Sequence, residues 1–323
     1  MISGVVGLIV VVLVTVSVGH AHIDMDAVIA IAERAQILPL ALSLIVMSMA
    51  FLFLGLRWAS LFPAPYKPPG TGLAVILCTG LLLNSALPGP VGEFGSAWFA
   101  HKRYRTPLGM SLAAGLGARI IGMIMAALAA LACWVWARPP VPPAYATPIE
   151  AAAILVGLMG LGLVVVLIRP QLMAQVSDLT MGKIAKLNRL HTTVVEAADA
   201  LESIGEAGPG ALIRCLFWSG LAHGFVLVGI AMAAHSLGAD PSYSGLLFTY
   251  ATTTAAVIVM FALPGSQVGW DAIFLALLTT TAGLAMPDAL AIAIVVRVQQ
   301  LFIMAAGAAA LTWLSRSEPK PTV

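Results

Sequence analysis

Two carboxylates and two arginines stand at matched places in this chain, each set behind the same tetrapeptide. Ala86-Leu87-Pro88-Gly89 is followed by Glu93 and Arg119, and Ala262-Leu263-Pro264-Gly265 by Asp271 and Arg297. The interval from acid to arginine is 26 residues both times, and another arginine follows 19 residues later in each copy (Arg138, Arg316). An acid and a base in apolar sequence can hold each other, bind an anion or carry a proton. Two copies at equal spacing suggest a duplicated membrane unit, of the kind transporters build around a central site.

The residues around each acid explain why the chain would open there. Asn84 to Glu93 contains Pro88, Pro90, Gly89 and Gly92. Proline removes amide donors and glycine permits unusual backbone angles, so a helix unwinds at such a stretch. Unwound backbone at membrane depth survives only inside protein or beside water. A helix starting at Glu93 would aim its positive end at that tip, where an anion such as phosphate could sit. Pro264 to Asp271 repeats the pattern, although an acid in the first turn of a helix is common in its own right. Arg119 and Arg297 fall well inside long apolar segments. An arginine at the centre of a spanning helix costs about 2.5–3.5 kcal/mol, a cost offset by a carboxylate, water or a bound anion. Glu93 and Asp271 are the natural partners, in the same or the opposite copy. A structural ion pair and a phosphate ligand are both open. Gln299 and Gln300 add polarity beside Arg297.

Other polar groups carry weaker signals. His101, Lys102, Arg103 and Arg105 form a basic patch that suits a positive-inside anchor or attraction to anionic headgroups. His20, His22, Asp24 and Asp26 read as a polar loop rather than a metal site. His223 reads as a satisfied core histidine. Cys78, Cys133 and Cys215 lie far apart in apolar segments and read as small buried hydrophobes. No nucleophile–base pair, phosphate-binding glycine loop, nucleotide motif or metal ligand set stands out. No cofactor is therefore expected.

Composition names the solvent that these groups must work in. The chain has 323 residues, of which 60% are hydrophobic and 9% charged, with mean hydropathy +1.00. Soluble domains carry about 25% charged residues. Spans of about 20 apolar residues suit a bilayer core, and roughly eight apolar stretches are present. Backbone groups in lipid must bond within their own segment, and the long uncharged runs do not suit a barrel. The fold class expected is an all-α polytopic membrane bundle with two broken, re-entrant hairpins. The net charge of +2 and the absence of a large basic cluster leave no case for nucleic acid.

Spans are expected at 2–19 (an uncleaved helix), 36–60, 71–87, 108–136, 149–168, 211–235, 243–263 and 288–314. Shorter arms are expected at 93–106 and 271–285. The stretch Pro63 to Pro69 cannot continue a helix. Residues 170–209 read as a cytoplasmic amphipathic segment, with Ile184, Leu187, His191 and Val194 on one face. The whole chain, 1–323, is one membrane domain with repeat-like units 71–138 and 243–316. Counting positive charges, Arg57 and Lys67 put the loop after the 36–60 span inside. The basic 101–105 patch also falls inside if 71–87 and 93–106 enter and return as a broken hairpin. The second hairpin then enters from the outer side, making the repeat inverted.

These motifs resemble the lysylphosphatidylglycerol synthase transmembrane family, the flippase-like membrane proteins. The resemblance runs from Leu56-Arg57-Trp58 to about residue 314. Asn84 to Arg119 is similar to N-x-x-x-P-G-R-x-G-E, a basic stretch and Glu-Arg; Pro88, Gly89, Gly92, Glu93 and Arg119 match. The second part is similar to P-G-G-x-G-x-x-E-A, a span and Arg; Pro264, Gly265, Asp271, Ala272 and Arg297 match. Pro90 stands where Arg is frequent, Ala118 where Glu is usual, Gly122 where Asp is common, and Ser266 and Val268 replace glycines. Longer members carry an aminoacyltransferase domain. This is a short form ending at Val323, so lipid aminoacylation is not implied. The resemblance implies lipid translocation between leaflets.

The function expected is a lipid flippase or transporter in a bacterial cytoplasmic (inner) membrane. It would bind a polar or anionic headgroup at Asn84, Pro88, Gly89, Gly92, Glu93, Arg119, Pro264, Gly265, Asp271 and Arg297. His101, Lys102, Arg103 and Arg105 would meet headgroups at the interface. Membrane lipid is the expected partner, with a homo-oligomer or a lipid-synthesising enzyme as protein partners left open. Protonation of Glu93 or Asp271 could couple movement to a proton gradient. A membrane-embedded transferase for a lipid-linked substrate and a non-transporting subunit of a lipid-modifying complex are the alternatives.

Overall fold

The structure, a computed structural model, describes residues 25–86, 91–169, 171–180, 199, 202, 208–260 and 266–316. Among these the elements are all helices, with no strand. The helices are α1 (Met25–Glu33), α2 (Ile37–Ala59), α3 (Gly70–Ala86), α4 (Val91–Tyr104), α5 (Leu108–Ala132), α6 (Pro143–Ile168), α7 (Gln171–Thr180), α8 (Pro209–Ser236), α9 (Tyr243–Met260), α10 (Ser266–Thr280) and α11 (Met286–Arg316). A π-helical turn, Cys133–Ala137, extends α5 and ends where Arg138 takes a left-handed conformation at φ 43°.

Among the described residues, five helices are long and apolar enough to cross a bilayer: Ile37–Ala59, Leu108–Ala137, Pro143–Gly162, Pro209–Ser236 and Met286–Thr312. Large apolar side chains such as Ile37, Leu158, Ile213 and Phe302 point outward. An outward apolar surface is stable only where the surroundings are apolar too. The protein is an integral membrane helical bundle. Small residues let the helices come close, as TM packing requires. α5 buries Ala113, Ala114, Gly117, Ala118, Gly122, Ala126, Ala127 and Ala130.

Two helix hairpins are built alike. In the first, α4 folds back along α3, with Gly92 against Gly80 at one end and the Tyr104 hydroxyl against Gly72 at the other. In the second, α10 folds back along α9. The Ser242 N–H donates to Ala282 O (2.9 Å), and the Thr249 and Thr281 hydroxyls bond at 2.9 Å. Each hairpin's leading helix packs on the long helix that follows the other hairpin. Thr79 Oγ1 donates to Gly307 O on α11 (3.2 Å), and Cys133 Sγ at the end of α5 donates to Ser244 O on α9 (3.2 Å).

The long helices α2 and α8 run antiparallel at the centre. The Gln36 N–H donates to Ser236 O (2.9 Å), and Phe53 stacks on Trp218 and meets Phe225 at a tilt. The mouth of the first hairpin lies in the core around Trp58, Leu61, Leu73 and Leu314. The mouth of the second lies in the core around Leu237, Leu246, Leu278 and Ala282, beside the start of α2. The hairpins therefore open toward opposite ends of α2.

Some sequence expectations change. Asp26 lies in α1, a helix rather than a polar loop, because Val28 and Ile31 are buried against the core. His20, His22 and Asp24 lie outside the described residues, as do the 2–19 span and most of the 170–209 segment. Both return arms start earlier than expected, at Val91 and Ser266. Arg57, near the end of α2, is not simply a solvated terminal charge. Its side chain turns into the bundle toward Gly122 on α5.

Candidate functional site

The tip of the first hairpin is held by one amide. Asn84 Oδ1 accepts from the Gly92 N–H at 2.6 Å, and Asn84 Nδ2 donates to Glu93 Oε2 at 3.0 Å. The side chain thus caps the start of α4 and orients its carboxylate, as Asn does at N-caps. Gly92 is required there, because a Cβ would overlap Gly80 O and the Asn84 amide.

Glu93 Oε1 forms an ion pair with Arg119 Nη1 on α5. The expected acid–base contact is therefore made within one unit, not across units. Both side chains are mostly shielded, at 15% exposure for Glu93 and 30% for Arg119. They line a half-open cavity of about 250 Å³ between α2, α3, α4 and α5. Arg57, Trp58, Asn84, Ser96 and Ser111 line it too. Trp58 Nε1 donates to Ser111 O (3.2 Å), and the Ser111 and Thr106 hydroxyls bond at 2.6 Å. These contacts fix α2 to the start of α5 and so hold the cavity walls.

The second pair follows the same rule at a more open place. Arg297 Nε lies 2.7 and 2.9 Å from the two oxygens of Asp271, and its Nη2 lies 2.6 Å from Oδ1. Arg297 also bonds Gln300 and lies over the Trp270 ring, 5.6 Å from its centroid. Gln299 is buried and reaches Ser48 Oγ at 3.5 Å. Exposure is 36% for Asp271 and 28% for Arg297, and neither lines the cavity beside Glu93. Pro88, Gly89, Pro264 and Gly265 lie outside the described residues.

The basic patch does not join either pair. It occupies the far end of α4, about 15 Å along the axis from Glu93 at 1.5 Å per residue. His101 Nδ1 donates to Thr106 O (2.6 Å), Lys102 lies over the Trp98 ring at 5.3 Å, and Arg103 and Arg105 are exposed. His223 is a core histidine: its Nδ1 meets the Tyr250 hydroxyl at 2.8 Å and its Nε2 meets Gly122 O at 3.1 Å. The three cysteines are free, with Cys133 and Cys215 buried.

Arg57 is the cavity residue that sequence reasoning used only for charge counting. Its signal in the sequence was its position one residue before Trp58, still inside the apolar helix. Only the approach of α5 shows which way the side chain turns.

The family model described as lysylphosphatidylglycerol synthase TM region matches residues 2–307. No curated protein and no solved structure matches the chain. The match covers nearly the whole chain, including both acid–arginine pairs, and the chain belongs to the lysylphosphatidylglycerol synthase TM region family.

Proposed function

We propose that this protein moves a lipid with a polar or anionic headgroup between leaflets, binding the headgroup in the cavity beside Glu93. The observation that carries this reading is that cavity. It is a charged, walled space of about 250 Å³ inside a bundle whose outer surface is apolar. Pockets that enclose drug-sized ligands run ~300–1,000 Å³. This one suits a headgroup, leaving acyl chains to the lipid outside. Family membership supports a role in lipid handling.

The opposed hairpins support the transport half of the proposal. We read 71–138 and 243–316 as inverted repeat units related across the antiparallel α2–α8 pair. Rocking one unit against the other would expose the headgroup to each side in turn. The Asp271–Arg297 pair then serves as the counterpart position in the second unit. The proposed location is a bacterial cytoplasmic membrane.

The test is reconstitution of the purified chain into vesicles carrying fluorescent phospholipid. Faster loss of inner-leaflet protection against a membrane-impermeant quencher, abolished by Glu93→Gln, supports transport. Unchanged redistribution removes it, and chemical turnover of the labelled lipid would make the protein a transferase instead.

A further inference from the structure

We propose that the cavity is a phosphate site and that Arg57 is the residue that selects for phosphate. This inference rests on the headgroup reading above and narrows its substrate class. The cavity is lined by two guanidinium groups, Arg57 and Arg119, and one carboxylate, Glu93. Both oxygens of that carboxylate are engaged, one by Arg119 and the other by Asn84. Asn84 in turn spends its own oxygen on the Gly92 amide.

Arg57 is left over. Its Nε is shielded from solvent and has no hydrogen-bond partner, and no ion pair involving it is found among the described residues. Its tip lies against Gly122, where a Cβ would overlap Nη1. The nearby His223 is already bonded to the Tyr250 hydroxyl and to Gly122 O. A guanidinium cannot discharge its proton to escape this position, so a shielded Nε–H without an acceptor, on a side chain that lines the cavity, calls for an anion.

Phosphate fits better than carboxylate. Its oxygens are set in a tetrahedron, so the two non-bridging oxygens of a phosphodiester can each accept from a different guanidinium, with an ester oxygen turned toward a hydroxyl. The Ser96 hydroxyl side of the cavity supplies that neighbour. A carboxylate holds its two oxygens in one plane and presents both to a single guanidinium fork. A lipid phosphodiester and free phosphate share this chemistry.

The test is calorimetric titration of the full chain in maltoside micelles. The probes are dihexanoylphosphatidylglycerol, dihexanoylglycerol, hexanoate and inorganic phosphate. The expected result is binding of the phospholipid, with affinity lowered about tenfold or more by Arg57→Gln. Arg138→Gln, which removes an exposed arginine elsewhere, is expected to leave it within about twofold. Gly122→Ala keeps every charge and displaces the Arg57 tip, so affinity should fall there too. That variant decides the matter if Arg57→Gln does not fold. Binding of inorganic phosphate with the same Arg57 dependence would identify free phosphate as the ligand; binding of the phospholipid alone would identify a headgroup.

Equal affinity for dihexanoylglycerol or hexanoate overturns the proposal. So does unchanged affinity in Arg57→Gln, or in Gly122→Ala where the first variant is lost. Arg57-dependent binding without leaflet redistribution would sink the transport reading and leave this one standing. Redistribution without Arg57-dependent binding would do the reverse.

Discussion

The guanidinium of Arg57 occupies the space that a side chain at residue 122 would need. Nη1 lies where a Cβ on Gly122 would be built, so the last turn of α2 and the middle of α5 are matched to each other. A bare backbone at 122 lets a cation from the neighbouring helix reach the Glu93 cavity. The same contact turns a basic residue near the end of an apolar helix inward, toward the bundle.

Breaking the first ion pair should cost both stability and transport. Glu93→Gln leaves Arg119 in the cavity without its carboxylate and weakens the Asn84 bond. The expected loss is about 1–3 kcal/mol of unfolding free energy, the range for stranding a partly buried polar group. Chemical unfolding in mixed micelles measures it. Reversing the pair, Glu93→Arg with Arg119→Glu, should recover part of that stability without recovering transport. A reversed pair that transports normally would show that the pair is a brace and nothing more.

Asn84 should act through the hairpin tip. Asn84→Ala removes the cap of α4 and the hold on Glu93 together, with an expected cost of about 1–2 kcal/mol. Asn84→Asp keeps an acceptor for the Gly92 amide but sets a second carboxylate against Glu93. It should melt between wild type and Asn84→Ala at high pH and approach wild type as the medium becomes acidic. Thermal unfolding across pH gives that order directly.

Glycine positions should separate sharply. Gly92→Ala places a methyl into Gly80 O and the Asn84 amide, so the hairpin must shift and folded yield should fall. Gly224→Ala in α8 meets nothing within 4 Å and should express and elute as wild type. Size-exclusion profiles of the two variants make the comparison. Normal behaviour of Gly92→Ala would refute the close packing of α3 on α4.

The second pair should matter less for binding than the first. Asp271 and Arg297 stand away from the cavity, and Arg297 keeps Gln300 and Trp270 as neighbours. Asp271→Asn should lower phospholipid affinity by under about threefold, while Glu93→Gln lowers it by about tenfold or more. Equal losses would mean that both pairs touch the ligand.

Much of this architecture is legible in one dimension. Scarcity of charge names lipid as the solvent, and runs of apolar residues then have no alternative to helix. The prolines and glycines before Glu93 and Asp271 mark where helices stop, since they remove donors and relax the backbone. The equal 26-residue intervals pair each acid with an arginine on the next helix, as the ion pairs realise. The short α1 was missed because its polar start outweighs two buried side chains, Val28 and Ile31.

What only the tertiary structure decided is that each acid meets the arginine of its own copy rather than the opposite one, and where Arg57 points. Along the chain, Arg57 is one more basic residue at the end of a span, and the positive-inside rule assigns it to the surface. Its direction depends on Gly122, brought beside it by the small-residue packing of α5. Helix formation is a local consequence of solvent and composition, and a sequence carries it. The charge balance of a cavity belongs to several helices at once, and exists only after they have packed.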